Sequence, residues 1–250
     1  MESLDDHALA ARIASDTGDL LVALIKDPSR AHGWGGLEYE GDRAAHDHIV
    51  AELHRYRPDD EVLSEEGDDH LSRLGADRVW IVDPLDGSSD FGYSPHWSVH
   101  VALVSKSDPI AGAVAVPGWD TTWATEPRPE PIMSRVGTVP RIVVARSRSH
   151  YDGRLLQQEL GAEVYAVGSA GVKAMAVVRG EFDAYVHGGG LYEWDSCAPV
   201  AVARAAGLHC CRLDGSELEF NKPDPWSPGL IICRRDLTEQ LVAVMADRAW

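Results

Sequence analysis

The stretch VWIVDPLDGS, residues 79–88, decides the fold. A compact apolar run over 78–82 predicts a buried strand, and this strand ends directly in two carboxylates, Asp83 and Asp86. Gly87 permits a tight backbone after them, and Ser88 is a residue type that begins helices. The stretch therefore predicts a buried strand that carries two acidic side chains to its end and then turns into a helix.

The residue types in this stretch suit a metal ion and a phosphate group. The two carboxylates and the free carbonyl of Leu85 are hard oxygen ligands of the kind that Mg²⁺ prefers. The backbone N–H groups of Gly87 and Ser88, at a helix start, form a cradle for a phosphate. A strand-to-helix turn rich in aspartate without any ligand would have the same pattern, so the interpretation depends on other acidic motifs.

Two further acidic motifs accompany the first. Glu65 and Glu66 follow an apolar segment, and adjacent carboxylates can supply one metal ligand and one supporting group. An acidic pair by itself is more often solvated surface. Asp195 precedes an apolar helical segment. It would either cap that helix or bring a carboxylate from the second half of the chain to shared metal ions.

Composition limits the classes of function. The chain has 250 residues, 44% hydrophobic and 25% charged, and a net charge of −17. This charge disfavours nucleic acid and acidic membranes as partners, and it would repel a phosphorylated substrate unless bound cations reverse the local field. No apolar run approaches the roughly 20 residues of a membrane span, and the start lacks signal-peptide features, so a cytoplasmic protein is expected. The four cysteines are predicted to be free thiols.

The pattern of apolar segments predicts two lobes of different organisation. A helix is expected over 4–25 and a second beginning at Asp42, followed by an antiparallel sheet over 78–124. The proline-rich segment 126–140 favours a boundary, which divides the chain into an N-terminal α+β lobe (1–134) with the metal site and a C-terminal α/β lobe (135–250). The second lobe alternates strands and helices and would supply Asp195 and substrate contacts.

Three motifs together resemble the signature blocks of the inositol monophosphatase superfamily. They are SEE at 64–66, WIVDPLDGS at 80–88 and WDSCAPVAVARAAG at 194–207, in the order and spacing of that family. The resemblance implies a layered αβαβα sandwich and a Mg²⁺-dependent phosphomonoesterase. Within the superfamily, residues 167–199 are most similar to bacterial phosphatases of the CysQ type. That similarity implies hydrolysis of the 3′-phosphate of 3′-phosphoadenosine 5′-phosphate to AMP.

The resemblance also implies roles for individual residues. Glu65, Asp83 and the Leu85 carbonyl would hold one Mg²⁺; Asp83, Asp86 and Asp195 would hold a second, with a third ion near Glu65 as the alternative to a two-ion site. Glu66 would support these ligands. Asp42 and Ser88 would orient and deprotonate the attacking water, although Asp42 could also simply cap its helix. The implied substrate contacts are Gly87, Ser88, Ser147, His150, Ser169 and Lys173.

Simpler interpretations compete for the substrate residues. Ser169 would serve equally as a helix cap and Lys173 as a solvated surface residue. A histidine metal site at His96 and His100 is not expected, because a strand-like segment lacks helical ligand spacing. Trp80 and Trp194 are predicted to belong to the core.

Departures from the family pattern leave alternative functions open. Residue 88 is serine where the family usually has threonine, and residues 89–91 differ from the usual sequence. The alternatives are a phosphatase for inositol monophosphate, fructose 1,6-bisphosphate or a biosynthetic sugar or nucleoside phosphate. A non-catalytic metal- or nucleotide-binding regulator is a different class, but it predicts a damaged metal ligand. Many relatives form homodimers, which favours that state here.

Overall fold

The computed structural model describes residues 4–27, 36–130 and 139–246, which form alternating layers of helix and sheet. The chain begins with α1 (Asp6–Lys26). The Asp5 carboxylate caps it by accepting a hydrogen bond from the Ala8 N–H at 2.8 Å. The predicted first helix is therefore confirmed to within two residues.

The second helix, α2 (Gly36–Tyr56), begins earlier than predicted. The sequence prediction that it starts at Asp42 is wrong, and so is the alternative that Asp42 caps it. The buried face of α2 already includes Gly41, where an added Cβ would lie 2.7 Å from the Phe91 ring. Gly41 therefore permits close packing within a helix, and Asp42 lies inside the helix with its carboxylate free for another role.

A first sheet of five strands follows these helices. Its strands are β1 (Glu61–Ser64), β2 (Val79–Asp86), β3 (Ser98–Ser105), β4 (Asp108–Val116) and β5 (Thr121–Ala124). They lie side by side in chain order. β1 is parallel to β2, and the remaining pairs are antiparallel, which confirms the predicted antiparallel arrangement of the last four.

The second sheet consists of β6 (Arg141–Ala145), β7 (Glu163–Val167), β8 (Ala184–His187), β10 (His209–Cys211) and β12 (Leu230–Cys233), in the order β10-β12-β8-β6-β7. The short strands β9 (Leu191–Tyr192) and β11 (Trp226–Ser227) form a separate pair. The helices of this half are α3 (Arg154–Leu160), α4 (Ala170–Val178), α5 (Glu193–Ala205) and α6 (Thr238–Met245). Strands β7 and β8 both run parallel to β6.

The elements form five layers that are held together by three apolar cores, the middle one of which spans the central helix layer. Helices α1 and α2 cover one face of the first sheet. Helices α4 and α5 lie between the two sheets and share a core with both. Helices α3 and α6 cover the outer face of the second sheet. This is the αβαβα sandwich that the resemblance implied. The predicted boundary at 134/135 lies outside the described residues, so the division into lobes stays a prediction.

The burial of the cysteines and tryptophans can be compared with the sequence predictions. All four cysteines are free and buried, and the Trp80 side chain is fully buried, as predicted. Trp194 is only partly buried and packs at the edge of the central core. Among the described residues, no helix combines the length and apolar character that a membrane crossing requires.

The same substitution at a buried and at an exposed position of the first sheet tests whether the central core carries stability. Ile81 is fully buried in the central core, whereas Ile110 is 45% exposed. Ile81→Ala should lower the free energy of unfolding by about 2–5 kcal/mol because it leaves a cavity. Ile110→Ala should change it by no more than about 0.5 kcal/mol. Urea unfolding followed by circular dichroism measures both, and equal losses would contradict this assignment of the core.

Candidate active site

A β-bulge brings the two aspartates of β2 together. Residues three apart on a regular strand point to opposite faces. Here the pairing with β3 shifts, so that Asp83 lies opposite His100 and Asp86 opposite Ser98. Three residues on β2 therefore span two on β3, and the bulge allows both carboxylates to reach the same site. Together with Asp195 they form a group whose ligand atoms all lie within 4.8 Å of one another.

Asp195 reaches this group from the first turn of α5. The helix begins at Glu193, two residues earlier than predicted, so Asp195 is not the N-cap. Its carboxylate accepts a hydrogen bond from the Tyr192 N–H at 2.5 Å. Glu193 is buried and turns away toward the Asn221 and Lys222 N–H groups, at 2.6 and 3.1 Å. Glu193 therefore fixes the neighbouring loop and leaves Asp195 to face β2.

Burial and mutual repulsion disfavour the charged forms of two of the three aspartates. Burial first, and then the charges of Glu65, Asp86 and Asp195, hold the pKa of Asp83 well above its ordinary value. Burial and the charge of Asp86 likewise raise the pKa of Asp195 to about 7. A cation between the two carboxylates would favour their charged forms.

Asp86 has an environment that stabilises its charge. Its Oδ2 accepts hydrogen bonds from the Ser169 hydroxyl, from the Gly171 N–H at 2.8 Å and from the Ser98 hydroxyl at 3.0 Å. Burial alone would raise the pKa of Asp86, but His100, Lys173 and the Ser169 hydroxyl together lower it. Asp86 is therefore a fixed anion in a site where the other carboxylates repel one another.

The donor set fits a divalent cation that prefers oxygen ligands. Oδ1 of Asp83 accepts a hydrogen bond from the Leu85 N–H at 3.1 Å. Its Oδ2 is buried and has no hydrogen-bond partner among the described residues. A buried carboxylate oxygen without a partner costs free energy, and coordination to a metal ion would satisfy it. Asp83, Asp86 and Asp195 could thus hold a metal ion.

Of the remaining predicted metal and water residues, Glu65 interacts with this group directly. Glu65 and Glu66 follow β1 and are exposed, and the Glu65 carboxyl lies beside that of Asp83. Asp42 is half-buried in α2. Burial, then the charges of Glu66, Glu65 and Glu38, raise the pKa of Asp42 to about 7. The roles of Glu65, Glu66 and Asp42 stay predictions, but all three lie within electrostatic reach of one another.

The predicted phosphate cradle and two of the predicted substrate residues, Ser147 and His150, lie in turns. Gly87 has a φ of +85° and precedes a short helical turn over Ser88–Asp90, as the sequence suggested. Ser147 and His150 are exposed in the turn after β6. Their contact with substrate stays a prediction.

Ser169 and Lys173, by contrast, are buried. Ser169 caps α4 by accepting from the Val172 N–H at 3.1 Å, as the simpler interpretation had it. Lys173 is not a solvated surface residue: its ammonium group donates to the Ser169 carbonyl and lies 5.1 Å from the Tyr185 ring centroid. Ser169 therefore contacts the aspartate group by its hydrogen bond to Asp86, and Lys173 acts on that group through its positive charge and its bond to Ser169.

Sequence reasoning missed the support that β3 gives to this group. His100 is fully buried, and its Nε2 lies 3.3 Å from Asp86 Oδ2. Ser98, two residues earlier, donates to the same oxygen. Alternation along a strand places residues two apart on one face, and β3 is the antiparallel neighbour of β2. That pairing was the available signal for both residues.

The family follows from comparison with known proteins. A model of the inositol monophosphatase family matches residues 39–248. The chain belongs to the inositol monophosphatase family. The resemblance drawn from the three sequence motifs is thus confirmed.

Individual relatives agree with this membership. A 3′-phosphoadenosine 5′-phosphate phosphatase of Mycobacterium leprae is 40% identical, over 98% of this chain and 94% of its own length. The 3′(2′),5′-bisphosphate nucleotidase CysQ of Escherichia coli is 33% identical, over 75% of this chain and 81% of its own. The crystal structure of inositol monophosphatase II from Staphylococcus aureus superposes with a TM-score of 0.80 at 19% identity, over 96% and 92% of the two chains. That structural similarity shows the shared fold.

The approach of α4 to the aspartates requires a glycine at 171. A Cβ there would collide with His100 Nε2 and the Ser98 hydroxyl. Gly171→Ala should therefore lower the free energy of unfolding by about 1–3 kcal/mol, despite the higher helix propensity of alanine. Gly75→Ala is the matched control, because an added Cβ there meets no atom within 4 Å. Urea unfolding compares the two, and a Gly171→Ala variant as stable as wild type would refute this packing.

Proposed function

We propose that this protein is a Mg²⁺-dependent phosphatase that hydrolyses the 3′-phosphate of 3′-phosphoadenosine 5′-phosphate to AMP and phosphate. The observation that carries the proposal is the convergence of Asp83, Asp86 and Asp195 within 4.8 Å, in a chain 40% identical to a relative of that activity. The presence of all three carboxylates argues against a non-catalytic regulator. The homodimer stays a prediction.

When bound, Mg²⁺ ions would neutralise charge on the phosphate and activate water for attack. Asp83, Asp86 and Asp195, with Glu65 and the Leu85 carbonyl, would hold two or three of them. Glu66 would support these ligands from outside. The cations also reconcile an anionic substrate with a chain of net charge −17.

The chain's own residues would position and deprotonate the water. Asp42, whose pKa is raised to about 7, is suited to accept a proton near neutral pH. The Ser88 hydroxyl would orient the water, and the Gly87 and Ser88 N–H groups would hold a phosphate oxygen. The water oxygen would bond to phosphorus as one water proton passes to Asp42, the bond from phosphorus to the ribose O3′ would break, and O3′ would take up a proton from solvent water. Positioning and electrostatics dominate such a reaction.

The predicted substrate residues separate by accessibility. Ser147 and His150 are exposed and could contact the nucleotide directly. Ser169 and Lys173 are buried, so they would act on a substrate mainly through the charge of Lys173 and the placement of Asp86. The exposed Arg146 forms an ion pair with Asp90 at 2.9 Å. This pair links β6 to the loop after Ser88, at the position where the sequence departs from the family.

The function is tested by phosphate release from 3′-phosphoadenosine 5′-phosphate, inositol 1-phosphate and fructose 1,6-bisphosphate. We expect kcat/KM for the bisphosphate nucleotide to exceed the other two by at least about tenfold, which is about 1.4 kcal/mol of selectivity. Activity should vanish with EDTA and return with Mg²⁺. Higher activity on either of the other substrates would move the assignment to the alternative phosphatases, and EDTA-resistant activity would refute the metal site.

Asp86→Asn tests the metal site itself. We expect turnover to fall at least about 100-fold, because an anionic ligand is lost. The thermal stabilisation that Mg²⁺ gives to wild type should also disappear. Asp90→Asn is the matched control, since Asp90 is equally buried but lies outside the aspartate group. It should retain stabilisation by Mg²⁺. Loss of that stabilisation in both variants, or in neither, would contradict the ligand role of Asp86.

A further inference from the structure

His100 contacts both parts of the chain that form the aspartate group. Its ring is fully buried. Nδ1 lies 3.1 Å from the carbonyl oxygen of Trp194, and since a carbonyl only accepts, Nδ1 donates this hydrogen bond. Nε2 lies 2.9 Å from the Ser98 hydroxyl and 3.3 Å from Asp86 Oδ2. One ring therefore joins Asp86 on β2 to the first turn of α5.

The Trp194 end of this connection is adjacent to a predicted metal ligand. Trp194 directly precedes Asp195, whose carboxylate accepts from the Tyr192 N–H. The carbonyl of residue 194 and the carboxylate of residue 195 belong to the same helical turn. Because β2 and α5 come from distant segments of the chain, their spacing depends on side-chain contacts across the interface. Among the described contacts, the His100 ring lies between Asp86 and this turn: it donates a hydrogen bond to the Trp194 carbonyl and lies 3.3 Å from Asp86 Oδ2.

The surrounding packing leaves the ring little freedom. Gly171 in α4 approaches so closely that a Cβ would collide with His100 Nε2. The Gly171 N–H donates to the same Asp86 oxygen at 2.8 Å. On the other side, Nδ1 lies 3.9 Å from Asp83 Oδ2. The ring is thus enclosed by β2, α4 and α5.

We propose that His100 is a positioning residue that sets the spacing between Asp86 and Asp195 and thereby the affinity of the site for its metal ion. It connects Asp86 to the Trp194 carbonyl from a fully buried position. This inference rests on the proposed function, because it takes the three aspartates as metal ligands. Groups that orient metal ligands typically change metal affinity or activity by about 10–100-fold when they are replaced.

Three substitutions separate the two ends of the ring. In His100→Asn the amide nitrogen lies close to the position of Nδ1 and can still donate to the Trp194 carbonyl. In His100→Gln the amide lies close to the position of Nε2, so the contact with Trp194 is lost. His100→Leu removes both contacts while keeping most of the volume.

Mg²⁺ binding to the EDTA-treated full-length protein provides the main measurement, by isothermal titration calorimetry. We expect His100→Leu and His100→Gln to raise the Mg²⁺ dissociation constant about 10–100-fold, and His100→Asn to raise it less than either. The increase in melting temperature on adding Mg²⁺ should follow the same order. KM for the nucleotide, measured at saturating Mg²⁺, should stay near wild type.

A matched control removes the contribution of packing. Val101 is the next residue on β3, and its side chain packs on the opposite face of the sheet, in the core under α1 and α2. Val101→Ala should destabilise the protein but leave the Mg²⁺ dissociation constant unchanged. If it raises that constant as much as His100→Leu does, affinity follows stability alone and the proposal is wrong.

The remaining outcomes are distinct. A folded His100→Leu variant that binds Mg²⁺ like wild type overturns the positioning role and leaves the proposed function intact. A His100→Asn variant that binds no better than His100→Gln overturns the link through Trp194. Wild-type protein that binds no Mg²⁺ and releases no phosphate overturns the proposed function and this inference with it.

Discussion

Three carboxylates with ligand atoms within 4.8 Å of one another are the constraint on which the rest of the site depends. Like charges at this distance in a buried place repel strongly. Burial first, and then this repulsion, raise the pKa values of Asp83 and Asp195. The protein holds them together by placing two on a bulged strand and the third on the first turn of a helix. Both elements are anchored in the central core.

The two aspartates of β2 differ in how many hydrogen bonds their side chains accept. Asp86 is held by hydrogen bonds from both serines, Ser98 and Ser169, and from the Gly171 backbone. Asp83 keeps one buried oxygen without a hydrogen bond among the described contacts. The three hydrogen bonds to Oδ2 hold the Asp86 carboxylate in place, while Oδ2 of Asp83 offers a lone pair to an ion. The proposed metal site therefore combines a rigid anchor with an open ligand.

Sequence reasoning identified the family, the layered fold and the candidate metal ligands because contiguous motifs record them. It misplaced the start of α2, since the position of Gly41 reflects packing against Phe91, which no local signal encodes. It passed over His100 for a similar reason. That residue was weighed as a metal ligand on spacing within its own segment, whereas its contacts depend on strand register and on a helix nearly a hundred residues away. Contacts between distant elements need the tertiary structure.

The first turn of α4 changes how the predicted substrate residues should be interpreted. Ser169 caps the helix and donates to Asp86, Gly171 donates to the same oxygen, and Lys173 bonds the Ser169 carbonyl. These residues act as one unit behind the metal site. A substitution of Ser169 or Lys173 therefore disturbs the candidate ligand Asp86 together with any nucleotide contact. Because Ser147 and His150 are exposed and have no described contact with the aspartates, substitutions there separate substrate recognition from metal binding more cleanly.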